Sequence, residues 1–221
     1  VRLALNLAVD RQTISEIGLH STAQPANQPG TPLTFGYNPA LPQIPYDPVR
    51  ARQLLAEAGY PLGLDLRIDA VTAGNAEASL IFQLVQQGLR NIGVNVELNS
   101  IVFSEWLRRY TTGSWEVDLF GLAFNSEPYY DVIRPMEYYS CAKPVPFFCN
   151  RDLMLSIKAT GTEFDEEIRQ SMLRNLSREY QRRMPAIYIL NVTEVAVVAD
   201  YVHNYRVRTR VPVYEELEII R

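Results

Sequence analysis

The stretch GYNPALPQIPYDPVRARQLLAEAGYP, residues 36–61, contains one helix with both of its ends spelled out. Asp47 is a good N-cap, because its carboxylate can accept the free backbone N–H groups of a first turn. Pro48 suits the first helical position, where its missing N–H costs nothing. Ala51, Leu54, Leu55 and Ala58 then line up as one apolar face. Gly59 can take the left-handed conformation beyond the last turn, and Pro61 prevents a restart. By itself this is a well-capped helix of any α/β protein, and the segments on either side narrow the reading.

Upstream, Val1 to Arg11 carries Leu3, Leu5, Ala8 and Val9 in a helical pattern that is already running at residue 1, with neither a cap nor an initiator Met. The chain is therefore expected to be an excerpt of a longer protein whose parent could carry a signal sequence. Residues 20–47 form a connector rich in Pro, Gly and Asn (Pro25, Pro29, Pro32), long enough to be either functional or packed across another domain. Tyr37 and Tyr46 are expected to hold it down.

Downstream, the pattern is strand–helix–strand–helix–strand. Leu64, Leu66 and Ile68 alternate with Asp65, Arg67 and Asp69 as a half-buried strand. Leu80, Leu84, Leu89 and Ile92 recur at helical spacing, widened by Ile81 and Val85, and Gly93 ends that helix. Val94, Val96 and Leu98 alternate as a second strand. Ser104 can cap a short helix through Trp106, Leu107 and Tyr110 to Gly113, and 117–122 reads as a short buried strand. Strands separated by helices of this length argue for a parallel or mixed sheet. Short helices are expected over 128–139 and 151–159. A long one spans 164–183, with Ile168, Met172, Leu176 and Tyr180 spaced by four, and Pro185 stops it. Strand runs are expected over 187–198 and 201–213.

At 221 residues, 47% hydrophobic and 21% charged, the composition suits a water-soluble globular domain with room for a core. A net charge of −4 provides no basic surplus to offset phosphates, so nucleic acid is not an expected partner. Arg206, Arg208 and Arg210 alternate along one strand face and read as a solvated face. No apolar run approaches the length a membrane helix needs. Cys141 and Cys149 stand eight apart, the wrong spacing for a CxxC redox or zinc pair, and the two histidines, His20 and His203, are distant. A local disulfide or two free thiols remain as readings. A bridge would contribute about 2–3 kcal/mol through chain entropy and would indicate an oxidising compartment.

Enzyme motifs are missing: no GxSxG elbow, Walker A loop, GxGxxG fingerprint or HExxH occurs. His20 sits at a helix-to-loop junction and His203 in a strand between Tyr201 and Tyr205, both structural settings. The paired acids Glu166-Glu167 and Glu215-Glu216 read as surface charge, and the glycosylation patterns at Asn175 and Asn191 fall inside a helix and a strand. No metal site or cofactor is expected.

What remains is a binding constellation at the C-terminal ends of the strands, where open α/β sheets place ligands. Three loops reach it: 71–75 with Thr72, 103–106 with Phe103 and Trp106, and 123–131. The last, Phe124-Asn125-Ser126-Glu127-Pro128-Tyr129-Tyr130-Asp131, combines carboxylates, an amide, a hydroxyl and aromatics, a mix suited to a polar ligand with an apolar part.

Taken in order, Val1–Arg11, the Pro-rich connector and the capped helix at 36–61 closely resemble the C-terminal half of family 5 bacterial solute-binding proteins, the peptide, dipeptide and nickel receptors of ABC importers. The resemblance covers nearly all of 1–215 and is strongest at 1–11, 36–61 and 141–190. It implies an α/β lobe like that of type II periplasmic binding proteins, with a mixed sheet flanked by helices. It divides the chain into 1–63 packing on the lobe, 64–185 as the ligand-binding lobe, and 186–221 as strands returning toward a second lobe. The implied function is non-enzymatic: capture of a peptide or other small polar solute between two lobes, then delivery to ABC permease subunits. The implied location is periplasmic or extracytoplasmic, peripheral to the membrane. The resemblance also favours the Cys141–Cys149 bridge. Dipeptide receptors carry Asn-Gly-Asp-Pro-Asp where this chain has Asn125 and Glu127-Pro128, which makes Glu127 the candidate partner of a cationic ligand group. Asn125, Tyr129, Asp131, Thr72, Trp106 and Phe103 complete the expected ligand set. Two departures matter. The stretch 71–75 lacks the Arg that clamps a dipeptide carboxylate, and Leu122 stands where those receptors have Trp, so dipeptide specificity does not transfer. A ligand-sensing regulatory domain and a hydrolytic enzyme are the alternative classes.

Overall fold

The computed structural model describes residues 1–124, 130–192, 196–208 and 211–220. The helix that opened the sequence reading is α3, Pro48–Glu57 in chain order, and is capped as expected: the Asp47 carboxylate accepts the Arg50 N–H at 2.8 Å. Gly59 has φ +90°, the left-handed conformation expected of it. Ala51 and Leu55 are buried, whereas Leu54 is half-buried and Ala58, the C-cap, is exposed.

The opening segment is two helices, α1 (Arg2–Leu7) and α2 (Arg11–Leu19), rather than one. The break comes from Asp10, whose carboxylate caps α2 by accepting from Thr13 N at 3.1 Å, and Leu3 is left exposed. Arg11 locks the joint. It is 4% exposed and has no acidic partner among the described residues; its guanidinium instead donates to the carbonyls of Asn6, Val9 and Tyr188 and to Asn6 Oδ1 at 2.6–3.1 Å. Burial lowers its pKa to about 10.

The 20–47 connector is well packed. It contributes the two-residue β1 (Gln24–Pro25) and a buried amide scaffold. Gln28 and Asn38 exchange hydrogen bonds of 2.9 and 3.0 Å, and Asn27 donates to the Leu41 and Pro42 carbonyls. These amides, with half-buried Tyr37, hold the segment; Tyr46 is exposed and does not.

The sheet follows: β2 (Leu64–Val71), α4 (Ala76–Arg90), β3 (Val94–Ile101), α5 (Phe103–Thr112) and β4 (Leu119–Gly121). Its order is β3-β2-β4 and every pairing is parallel, with Leu64 opposite Val94, Val71 opposite Ile101 and Ala70 opposite Gly121. The first core joins α1, α2, α3 and α4 to one face of this sheet through residues including Ala8, Ile14, Leu55, Val85, Leu89 and Val96. Leu80 falls at the exposed rim of α4. On the other face the alternation breaks, because Asp69 is buried beneath α5. Val102 precedes α5 without a side-chain cap; Ser104, expected to cap it, lies inside the first turn.

Beyond the sheet come α6 (Ile133–Tyr138), α7 (Arg151–Thr162) and α8 (Glu166–Arg183), which build a second core from Val132, Met136, Leu153, Ile157, Leu173, Leu176 and Tyr180. α8 starts at its Asp165 cap, so Phe164 lies outside it and is exposed. Ile168 is also exposed and Leu173 takes the central position, because the buried stripe runs 173, 176, 177, 180 and not by strict fours. Gly36, φ +82°, lets the connector approach α8 closely; a Cβ there would lie 2.5 Å from that of Leu173. Cys141 and Cys149 form a disulfide.

The expected runs at 187–198 and 201–213 reduce to short pairs among the described residues. β5 (Leu190–Asn191) pairs with β1, β6 (Val202–His203) with β9 (Glu218–Ile219), and β7 (Val207–Arg208) with β8 (Val211–Pro212), all antiparallel. A β-branched run becomes a long strand only where another strand offers its edge, and among the described residues only β1 pairs with 187–192. No described helix is long and apolar enough to cross a membrane, and no cluster of three or more His, Cys, Asp or Glu side chains suited to a metal occurs among the described residues.

Candidate functional site

Parallel pairing carries β2, β3 and β4 to the same end of the sheet, so the residues after Val71, Ile101 and Gly121 emerge side by side. This is the end where the sequence places its three ligand loops. Of the expected ligand residues, Asn125, Glu127 and Tyr129 lie outside the described residues. The other four occupy distinct settings.

Phe103, the first residue of α5, is 55% exposed at this end. Trp106 lies one turn further on and is 2% exposed. Thr72 is buried, with its hydroxyl 2.6 Å from that of Ser100 on the neighbouring strand, so it ties β2 to β3. Asp131 is buried as well. One of its carboxylate oxygens accepts the Ile133 N–H at 2.8 Å, and the other pairs with Arg169 of α8. Its backbone bridges to Phe35 of the connector, and the Arg169 guanidinium lies 5.4 Å from the Phe35 ring centre. Asp131 thereby joins connector, α6 and α8.

Two features of the site escaped sequence reading. The first is an ion-pair network under α5. Arg109 pairs with the buried Asp69 and, at 2.7 Å, with Glu105, while Arg108 grips Glu105 from outside at 2.7 Å. Asn99 donates to the second Asp69 oxygen at 3.2 Å. Hydrogen bonds from the two arginines lower the Glu105 pKa to about 2. The Glu105-Arg108-Arg109 spacing is visible in the sequence, but nothing there marks Asp69 as the acid beneath it.

The second is an aromatic cluster. Trp106 stacks on Tyr110 (5.3 Å, 5° between planes), and Tyr110 on Tyr138 (4.8 Å, 7°). Phe147, inside the disulfide loop, packs edge-on to Phe120 at 4.3 Å and to Trp115 and Tyr139. The bridge therefore pins an aromatic wedge against the underside of the ligand end. Burial pushes the Tyr110 hydroxyl up to about 12 and that of Tyr139 upward as well. Both phenols are neutral at any physiological pH, so the cluster supplies shape and not charge.

Comparison with known proteins agrees with this architecture. The profile of the bacterial extracellular solute-binding proteins, family 5 Middle, matches residues 1–142. The dipeptide-binding protein of Pseudomonas aeruginosa is 23% identical over 214 residues, 94% of this chain and 40% of that protein. Heme-binding protein A of Haemophilus influenzae is 32% identical over 124 residues, 55% of this chain and 23% of that protein. The chain thus spans less than half the length of these curated relatives. Among solved structures, the dipeptide binding protein of Pseudoalteromonas sp. SM9913 in complex with Met-Leu superposes with a TM-score of 0.78 at 21% identity, covering 99% of this chain and 45% of that one. Sheet, flanking helices and profile agree: the chain belongs to the bacterial extracellular solute-binding proteins of family 5.

Proposed function

We propose that this chain is the gripping portion of the solute-binding component of an ABC importer, capturing a peptide or related small solute outside the cytoplasm and delivering it to membrane permease subunits. The observation that supports the reading most is the convergence, at one end of a parallel sheet, of residues 72–75 after β2, the first turn of α5 after β3 and residues 122–124 after β4, within a chain of this family. Relatives named for dipeptides, heme and glutathione show how widely the solute varies around this framework. The role is binding, with no bond made or broken: the solute is held between this lobe and a second one, and closure is stabilised by the solute's higher affinity for the closed form.

Within the site, Glu127 pairs with a cationic group of the solute, assisted by Asn125 and Tyr129. Phe103 supplies apolar surface. Thr72, Trp106 and Asp131 hold the loops in place. Without an Arg in 71–75 to clamp a carboxylate, longer peptides or other cationic solutes fit the site as well as free dipeptides. The test is a thermal-shift screen of the full-length protein against short peptides, nickel chelates, sugars and cationic amino-acid derivatives, with Glu127→Gln in parallel. One solute class raises the melting temperature, and Glu127→Gln weakens its binding by roughly 10- to 100-fold, the range for a lost charge-assisted hydrogen bond. An undiminished shift in the variant rules out Glu127 as the charge-reading residue.

A further inference from the structure

The rings of α5 form an ordered series. Positions 103, 106 and 110 share one helix face. Their planes are close to parallel: Phe103 to Trp106 at 5.6 Å and 15°, Trp106 to Tyr110 at 5.3 Å and 5°, then on to Tyr138 of α6 at 4.8 Å and 7°. The array runs from half-buried Tyr138 and Tyr110 through buried Trp106 to exposed Phe103. Its inner members are fixed. Trp106 is 2% exposed, the Tyr110 hydroxyl donates to the Tyr138 carbonyl at 3.0 Å, and the Asp69–Arg109–Glu105 network clamps the helix that carries the first three rings. Phe103 is the outermost ring. Trp106 stacks against it, and Phe103 remains 55% exposed, with exposed Val102 and Leu107 near it in the chain.

We propose that the exposed ring of Phe103 is a stacking platform for an aromatic side chain of a peptide solute, so that this receptor prefers peptides carrying a planar ring. The inference rests on the receptor reading above and adds a substrate class to it. Three physical points carry it. Offset stacking is the favoured contact between two rings and contributes beyond the area it buries. A ring already stacked on a buried indole has little freedom left to lose when a ligand arrives. The position, two residues beyond the last residue of β3, puts the platform beside the loops that emerge after Val71 and Gly121.

The test uses the full-length protein and isothermal titration with three tripeptides, Phe-Ala-Ala, Ala-Phe-Ala and Ala-Ala-Phe, each compared with its cyclohexylalanine counterpart, which matches the ring in size but has no π face. The unaltered protein binds at least one phenylalanine peptide roughly three- to tenfold more tightly than its saturated counterpart. Phe103→Leu removes that preference, and Phe103→Tyr retains it. A measurement on the unaltered protein guards against a variant that does not fold: ring protons of the bound phenylalanine peptide move upfield in NMR, as stacking requires. Equal affinity for the two members of every pair, a preference that survives Phe103→Leu, or no upfield shift overturns the stacking inference and leaves the receptor reading standing. Binding of no peptide at all by the unaltered protein overturns the peptide reading and the platform with it.

Discussion

Replacing Asp131 by Asn separates two roles for one carboxylate. By its place in the sequence Asp131 belongs to the ligand loop; in the structure its oxygens are already engaged, one with the Ile133 N–H and one with Arg169. Asparagine keeps an oxygen for Ile133 but withdraws the charge opposite Arg169. The Asp131 side chain is 9% exposed and that of Arg169 23%. Removing one partner from a fully buried pair costs about 3–5 kcal/mol. Arg169 can turn partly to water and retains its 2.9 Å bond to the Thr160 carbonyl, so the cost is discounted to about 2 kcal/mol. For a domain of this size that lowers the melting temperature by about 4–8 °C. The assay is thermal unfolding of the solute-free protein for Asp131→Asn, Arg169→Met and the double variant. The double variant loses less than the sum of the singles, with a coupling of about 1 kcal/mol or more. An unchanged melting temperature together with a tenfold or greater loss of solute affinity would refute this reasoning and return Asp131 to the ligand.

Two further outcomes follow from the same contacts. Glu105 has its pKa lowered from 4.5 to about 2, so the stability it contributes is complete above pH 4.5 and is lost as pH falls through about 2. Thermal melts of the unaltered protein and Glu105→Gln should therefore differ by a constant amount from pH 7 down to about 5 and converge between 4.5 and 2; a difference that already shrinks at pH 6 contradicts the assignment. Reduction of Cys141–Cys149 should cost about 2–3 kcal/mol, a fall of roughly 4–12 °C in melting temperature, and should weaken the near-ultraviolet circular dichroism of the ring cluster around Phe147. Loss of stability with an unaltered aromatic signal would show that the bridge does not hold that wedge in place.

Much of the fold is legible in local patterns, because caps and alternation are short-range effects. Asp47-Pro48 and Gly59 mark the bounds of α3 to within a residue. The alternation at 64–68 and 94–98 and the helical spacing between them give β2, α4 and β3. Reading fails where a residue's role depends on something distant in the chain. The hydrophobic pattern of residues 1–9 runs on without interruption, but the Asp10 cap and the contacts of Arg11 to Tyr188 turn it into two helices. The β-branched run after Ile187 has strong strand character, yet only two of its residues among those described find an edge to pair with.

The site divides along the same line. Sequence alone placed polar and aromatic candidate groups just after three strands, since strand ends and loop chemistry are both local. It also determined that two cysteines flank Phe147 and Phe148. Tertiary structure decided which of those groups remain free. Asp69, written as a solvent-facing acid, is buried under Arg109; Asp131 is paired to Arg169, 38 residues away; Trp106 is sealed in a ring cluster and Phe103 left open beside it. A charge or a ring has the same side chain wherever it stands, and only the elements packed against it determine whether it meets water, a solute or the protein itself.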